Sequence, residues 1–340
     1  MKSLSLFAAL ALLAGSAASV PVHAQDRQML VVTASNTPSN NLLVYNTLGN
    51  LIQSVPTGGK GGVSGNAGGI ATSRDLLAVV NFGSSNVSIF ARSDEGFRLR
   101  QIVTAESSPV SVAFGHDHLY ILGTTKVESH QVFDFGVSPG PDGQAGLVVA
   151  DGSAAQVGVL TSQVIISEKS NAIETVNLTP EGAVEGASAL VQNIPTNVNA
   201  PFGLATRGNE AYVTIAHANE ISLVRNDTVL TVTGSGTQSA PCWVALDGPY
   251  LFSANSPSKS VSRYVVYGQK IIQDAAVAAS FNGNPTDIAY HAGHLAVLDG
   301  AGAVSHLSIF NADDDGNLSL IGLATITGGA NGVAIVRSER

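Results

Sequence analysis

Gly332-Val333-Ala334-Ile335-Val336, a short apolar run around one small residue, is the stretch that decides the fold. The same phrase stands upstream as Gly69-Ile70-Ala71-Thr72, Val110-Ser111-Val112-Ala113-Phe114, Gln156-Val157-Gly158-Val159-Leu160 and Phe202-Gly203-Leu204-Ala205-Thr206. Two further copies are Cys242-Trp243-Val244-Ala245-Leu246 and Thr286-Asp287-Ile288-Ala289-Tyr290. The small residues fall at 71, 113, 158, 205, 245, 289 and 334, which gives spacings of 42, 45, 47, 40, 44 and 45. A repeat in the low forties with several strands per unit is the period of propeller blades.

In each of the first six copies a second apolar run follows six residues after the small one, as from Ala71 to Leu77 or Ala245 to Leu251. The residues between are turn formers, such as Ser73-Arg74-Asp75 and Asp247-Gly248-Pro249, so the two runs form an antiparallel hairpin. A third strand alternates apolar and polar residues, as in Asn86-Val87-Ser88-Ile89-Phe90. A fourth follows turns such as Asp94-Glu95-Gly96 and Pro180-Glu181-Gly182. The copy at 332–336 has no second strand after it, and Leu30 to Thr33 is a second strand with no first before it. Joining them predicts an all-β, seven-bladed β-propeller of four-stranded antiparallel blades, with one blade closed by both termini so that no open seam remains. Ala or Gly at the recurring position fits strands crowded around a central axis.

Composition agrees. Of 340 residues, 36 are glycine and 12% are charged, as expected of many short strands and tight turns. Residues 1–24 read as an export signal: Lys2, an apolar stretch from Leu4 to Ala14, and Val22-His23-Ala24 before the cleavage point. The expectation is a secreted or periplasmic protein whose residues 25–340 form one propeller domain. No later run reaches the roughly 18 apolar residues of a membrane span. The formal charge of −9 argues against nucleic acid as a partner. Cys242, the only cysteine, excludes an internal disulfide and reads as a small buried hydrophobe. No metal-ligand spacing occurs, and no cofactor is called for. Asp313-Asp314-Asp315-Gly316-Asn317 lacks the acidic twelfth position of a calcium loop and reads as an exposed turn.

The blade motifs resemble the seven-bladed lactonase-type propellers, which include 6-phosphogluconolactonase-like and muconate-lactonising proteins and the related YVTN repeats. The resemblance rests on the inner strands that follow a proline, on Leu77-Ala78-Val79-Val80-Asn81, on Asn86 to Phe90 and on the Asp/Glu-Gly turn before the fourth strand. It covers nearly all of residues 25–340, and it implies the propeller fold and lactone hydrolysis at the central funnel.

Topology nominates the residues. With the hairpin turns on one face, the second-to-third loops and the links between blades share the other, which surrounds a funnel. Second strands end there in Asn81, Glu168, Asn255 and Asp299, with His217 at the matching place, and the links bring Asn66, Asn199, Asn284 and Asn331. Glu168 and His217 come from adjacent blades, so the carboxylate is placed to orient a histidine base that activates water, while Asn side chains polarise a carbonyl. Lys60, Lys126, Lys169 and Lys259 fall on the same face, which suits an anionic lactone. The link Gly58-Gly59-Lys60-Gly61-Gly62 lacks the ending of a phosphate loop and reads as a flexible connection. Two functions stay open: a monomeric hydrolase of a small lactone using His217 and Glu168, or a non-enzymatic propeller that binds a small ligand or a protein at that face.

Overall fold

A computed structural model describes residues 29–93, 95–194 and 200–337. The export segment read over 1–24 lies outside these residues. Seven antiparallel sheets surround a central axis. Blade 1 consists of Asn331–Arg337, Met29–Ala34, Asn41–Asn46 and Leu51–Pro56, in that order from the axis outward. Its first two strands are the two chain ends, paired from Met29↔Arg337 to Ala34↔Asn331. The ring is therefore closed by hydrogen bonds between the termini, as the orphan runs predicted.

The inner strands of blades 2 to 7 are Ile70–Ser73, Pro109–Gly115, Ala154–Val159, Pro201–Arg207, Pro241–Asp247 and Asn284–His291. All seven recurring phrases fall in this layer. Blade 3 departs from the pattern: a small hairpin containing Gly136–Val137 precedes a fourth strand of only four residues, Gly143–Gly146. Gln101 of blade 2 holds the hairpin by two bonds to Val137.

The second strands are buried on both faces, which is why Leu76–Asn81 and His118–Gly123 read as unbroken burial. Apolar side chains interlock between neighbouring blades rather than in one central mass. Val31, Ile335, Leu298 and Leu307 pack across the closing seam between blades 7 and 1, and Leu77, Val79 and Leu42 pack between blades 1 and 2.

Near the axis, side chains bridge blade to blade. Val157 N–H donates to Ser111 Oγ at 3.2 Å, and Leu204 N–H to Gln156 Oε1 at 2.7 Å. Thr214 Oγ1 lies 3.1 Å from both Gly203 O and Cys242 O. Gly203 has no room for a side chain, because a Cβ there would meet the Cys242 carbonyl and the Trp243 backbone. Deleting residues 330–340 removes the inner strand of blade 1 and exposes the seam. Calorimetry of that truncation should show loss of the single cooperative transition, whereas an unchanged melting curve would contradict closure through the termini.

Candidate functional site

The predicted ring is present as positions but does not converge on an open funnel. Asn81 is fully buried and spends its amide inside blades 1 and 2: Oδ1 accepts from Asn40 (2.9 Å) and Thr57 (2.8 Å), and Nδ2 donates to Asn86 and Ser88. Asn255 is bonded in the same way to Ser253, Ser260 and Ser262 of its own blade. Asp299 is buried and meets His306 Nδ1 at 3.1 Å. Asn284 is exposed at the start of its strand. Asn199 lies outside the described residues. His217 is exposed on a short 3-10 turn, Ala216–Ala218, whereas Glu168 is fully buried, and no hydrogen bond or ion pair joins the two.

The link between blades 1 and 2 fills the mouth of the funnel. Its glycine-rich start is fixed by backbone bonds, with Gly61 N–H to Thr37 O, Gly83 N–H to Lys60 O, and Asn36 Oδ1 accepting from Gly62 and Val63. This corrects the reading of 58–62 as a flexible connection. Residues 65–68 then cross the axis. Lys169 Nζ donates to Gly65 O at 2.6 Å, Trp243 Nε1 to Asn66 O at 3.0 Å, and Ala67 N–H to Ala155 O at 3.1 Å. Asn66 Nδ2 donates to Val110 O, and Asn331 Nδ2 to Asn66 Oδ1 at 2.8 Å. Ala67 is buried among Ala155, Phe202 and Trp243. The segment thus touches blades 1, 3, 4, 5 and 6, and it acts as a plug. Lys169, read as an anion ligand, is one of its anchors.

Against the plug lies a smaller cavity of about 140 Å³, lined by Gly68, Gln156, Trp243, Asp287 and apolar neighbours. These three polar side chains were missed from sequence. Their signal is a column two residues before each small one: Gly69, Ser111, Gln156, Gly203, Trp243, Asp287 and Gly332. Side chains two apart on a strand share a face, so the large or polar members of a glycine-rich column meet near the axis.

Burial pushes the Asp287 carboxyl up to about 7, against the pull of backbone N–H groups of Ile288, Val333 and Gly332. Burial likewise raises Glu168 to about 8, opposed mainly by Ser153, whose hydroxyl donates to Oε2 at 2.9 Å, while Oε1 has no partner. Lys169 is lowered by burial and supported by Glu168 and Asp151. Cys242 is free, its thiol pushed up to about 11 by burial and so poorly nucleophilic. Among the described residues, no group of three or more His, Cys, Asp or Glu side chains is placed to hold a metal ion. Asp313 spends its carboxylate on Asp315 and Asn317 within its own turn.

The hairpin face is different. Two adjoining cavities of about 500 and 360 Å³ share Ile70 and Ala71 and together follow the inner strands around the ring. Six of the seven small residues line them, among them Gly158, where a Cβ would press into Leu204 and Thr206. The channel is therefore blind, open at the hairpin turns and sealed at the links. His116 stands at its rim, tied through Nε2 to Leu160 O at 2.8 Å. His118 serves blade 3 itself, through Asp142 at 2.7 Å.

The chain overlays on the periplasmic gluconolactonase of Pseudomonas aeruginosa with a TM-score of 0.65 at 15% identity, covering 92% of this chain and 99% of that one. A Bacteroides uniformis protein assigned provisionally as a 6-phosphogluconolactonase gives 0.65 at 14% identity, with 92% and 100% covered. The fold is that of the lactonase-type propellers. A functionally unknown protein from Desulfotomaculum acetoxidans gives 0.67 at 13% identity, with 92% and 100% covered. No family model matches the sequence, and no curated protein does. At these identities the likeness to solved structures extends to the fold.

The two raised carboxyls set a pH dependence. Unfolded carboxyls titrate near 4, so between about pH 4 and 8 the folded chain holds protons that the unfolded chain releases. These groups make stability fall as pH rises through that window. The melting temperature should drop by a few degrees from pH 5 to pH 9. The double variant Glu168→Gln, Asp287→Asn should flatten the profile, and a variant profile as steep as the parent's would contradict the assignment.

Proposed function

We propose that this protein is a small-molecule-binding propeller that takes its ligand into the blind channel from the hairpin face. The observation that carries this reading is the plug: residues 65–68 occupy the mouth on the link face, while about 500 Å³ stays open at the other end. A concave volume of that size lies within the usual range of small-molecule pockets, about 300–1,000 Å³. Many of the nominated catalytic and carbonyl-polarising groups are engaged in holding blades or plug together, and this favours binding over hydrolysis. The export segment read over residues 1–24 suits such a binder to a secreted or periplasmic setting, and the formal charge of −9 argues against nucleic acid.

Lactone hydrolysis is the second reading. It draws on the names of the structural neighbours and on Glu168, a buried acid whose pKa of about 8 suits proton donation near neutrality. The two readings separate in one assay. Purified protein offered a panel of sugar lactones and carboxylated lactones, with acid release followed, should give no turnover above buffer. Turnover that falls about 100-fold or more in His217→Ala or Glu168→Gln would overturn the binding reading.

A further inference from the structure

The inner strand of each blade is the edge of its sheet, so every second residue turns a backbone N–H and C=O away from the ladder and toward the axis. In blades 3, 4 and 5 the deep members of this set are already engaged. Val112 N–H donates to Gly68 O of the plug at 2.8 Å, Val157 N–H to Ser111 Oγ at 3.2 Å, and Leu204 N–H to Gln156 Oε1 at 2.7 Å. One strand repeat nearer the hairpin face, alternation turns Phe114, Val159 and Thr206 the same way. Their N–H groups make no hydrogen bond to a neighbouring blade or side chain among the described residues. All three residues line the larger cavity. Ala113 and Gly158, which also line that cavity, place no long side chain of their own over these groups.

The lining also lacks fixed charge. Among the described residues no Asp, Glu, Lys or Arg borders either cavity, and the titratable side chains there are His116 in the larger and His291 in the smaller. A charged ligand entering it would lose hydration without gaining a counter-charge. A strand edge presents donors and acceptors side by side, so its complement is a molecule with adjacent C=O and N–H groups, as in β-strand addition.

We propose that the larger cavity binds an uncharged amide-bearing small molecule, a lactam or cyclic dipeptide, through the exposed inner-strand edges at Phe114, Val159 and Thr206. This rests on the binding reading above and gives it a chemistry. The ligand's apolar flank lies against Val112, Leu160 and Leu204, and the Thr161 and Thr206 hydroxyls stand at the rim.

The test uses saturation-transfer NMR on the full chain, with the cyclic dipeptide of glycine and leucine and its linear zwitterionic counterpart as probes. Transfer should reach the cyclic probe and be at least threefold weaker for the linear one. Thr161→Trp, at an exposed turn on the cavity wall, should cut the cyclic signal at least threefold while the melting curve stays that of the parent. Lys270→Gln, exposed at the start of the outermost strand of blade 6, Lys270–Ser280, should leave it unchanged. If that wall variant does not fold, Thr206→Phe takes its place with the same expectation. Absence of transfer to the cyclic probe, equal transfer to both probes, or a signal that survives either folded wall variant would overturn the proposal. Lactone turnover dependent on His217 would instead overturn the binding reading, without altering the result with the cyclic probe.

Discussion

Seven sheet edges face one axis, and the backbone groups they present must find partners or water. Unpaired N–H and C=O groups are costly where water is excluded. The inner ends of the blades are organised by this demand. Ser111 and Gln156 reach sideways to the next strand, Asp287 accepts from the backbone of Val333 and Gly332, and the plug supplies Gly68 O to Val112. Where side chains and plug provide partners, the channel is closed. Where they stop, near the hairpin turns, it stays open.

The plug explains why a ring of polar strand ends does not make a funnel site. Once residues 65–68 lie across the axis, the groups around them become a seat for the chain itself. Lys169 and Trp243 grip carbonyls of the plug, and Asn66 and Asn331 pair across it. Asn81 and Asn255 show the same economy within single blades, each bonded to hydroxyls or amides of adjacent strands. A buried carboxamide so fully bonded has little capacity left for a substrate.

Much of the fold was legible because its signal is local and repeated. The small residue at 71, 113, 158, 205, 245, 289 and 334 marked every inner strand, and the unpaired runs at the two ends marked the seam. The site was less legible. Nothing in Gly58 to Gly69 says that it crosses the axis, since that depends on contacts with Ala155, Trp243 and Asn331, far away in the sequence. The small residues were read as a response to crowding, and Gly158 bears that out locally. Yet six of the seven also line open space, because the strands stand apart where no plug lies between them. Gln156, Trp243 and Asp287 were visible as the exceptions in a column otherwise made mostly of glycine, a pattern that gains meaning only when the strand faces are known.

The pairing of Asn66 with Asn331 spans 265 residues of chain. The plug is made early in synthesis, but its last partner belongs to the final strand, which also closes blade 1. Contacts of such long range are late and slow to form, so the intervening blades have to arrange themselves around a segment not yet held on every side. Blades 3 to 6 all contact the plug, and the C-terminal strand supplies the partner farthest from it in sequence. A circular permutation opened after Gly69 would have the plug synthesised after Asn331 rather than before it.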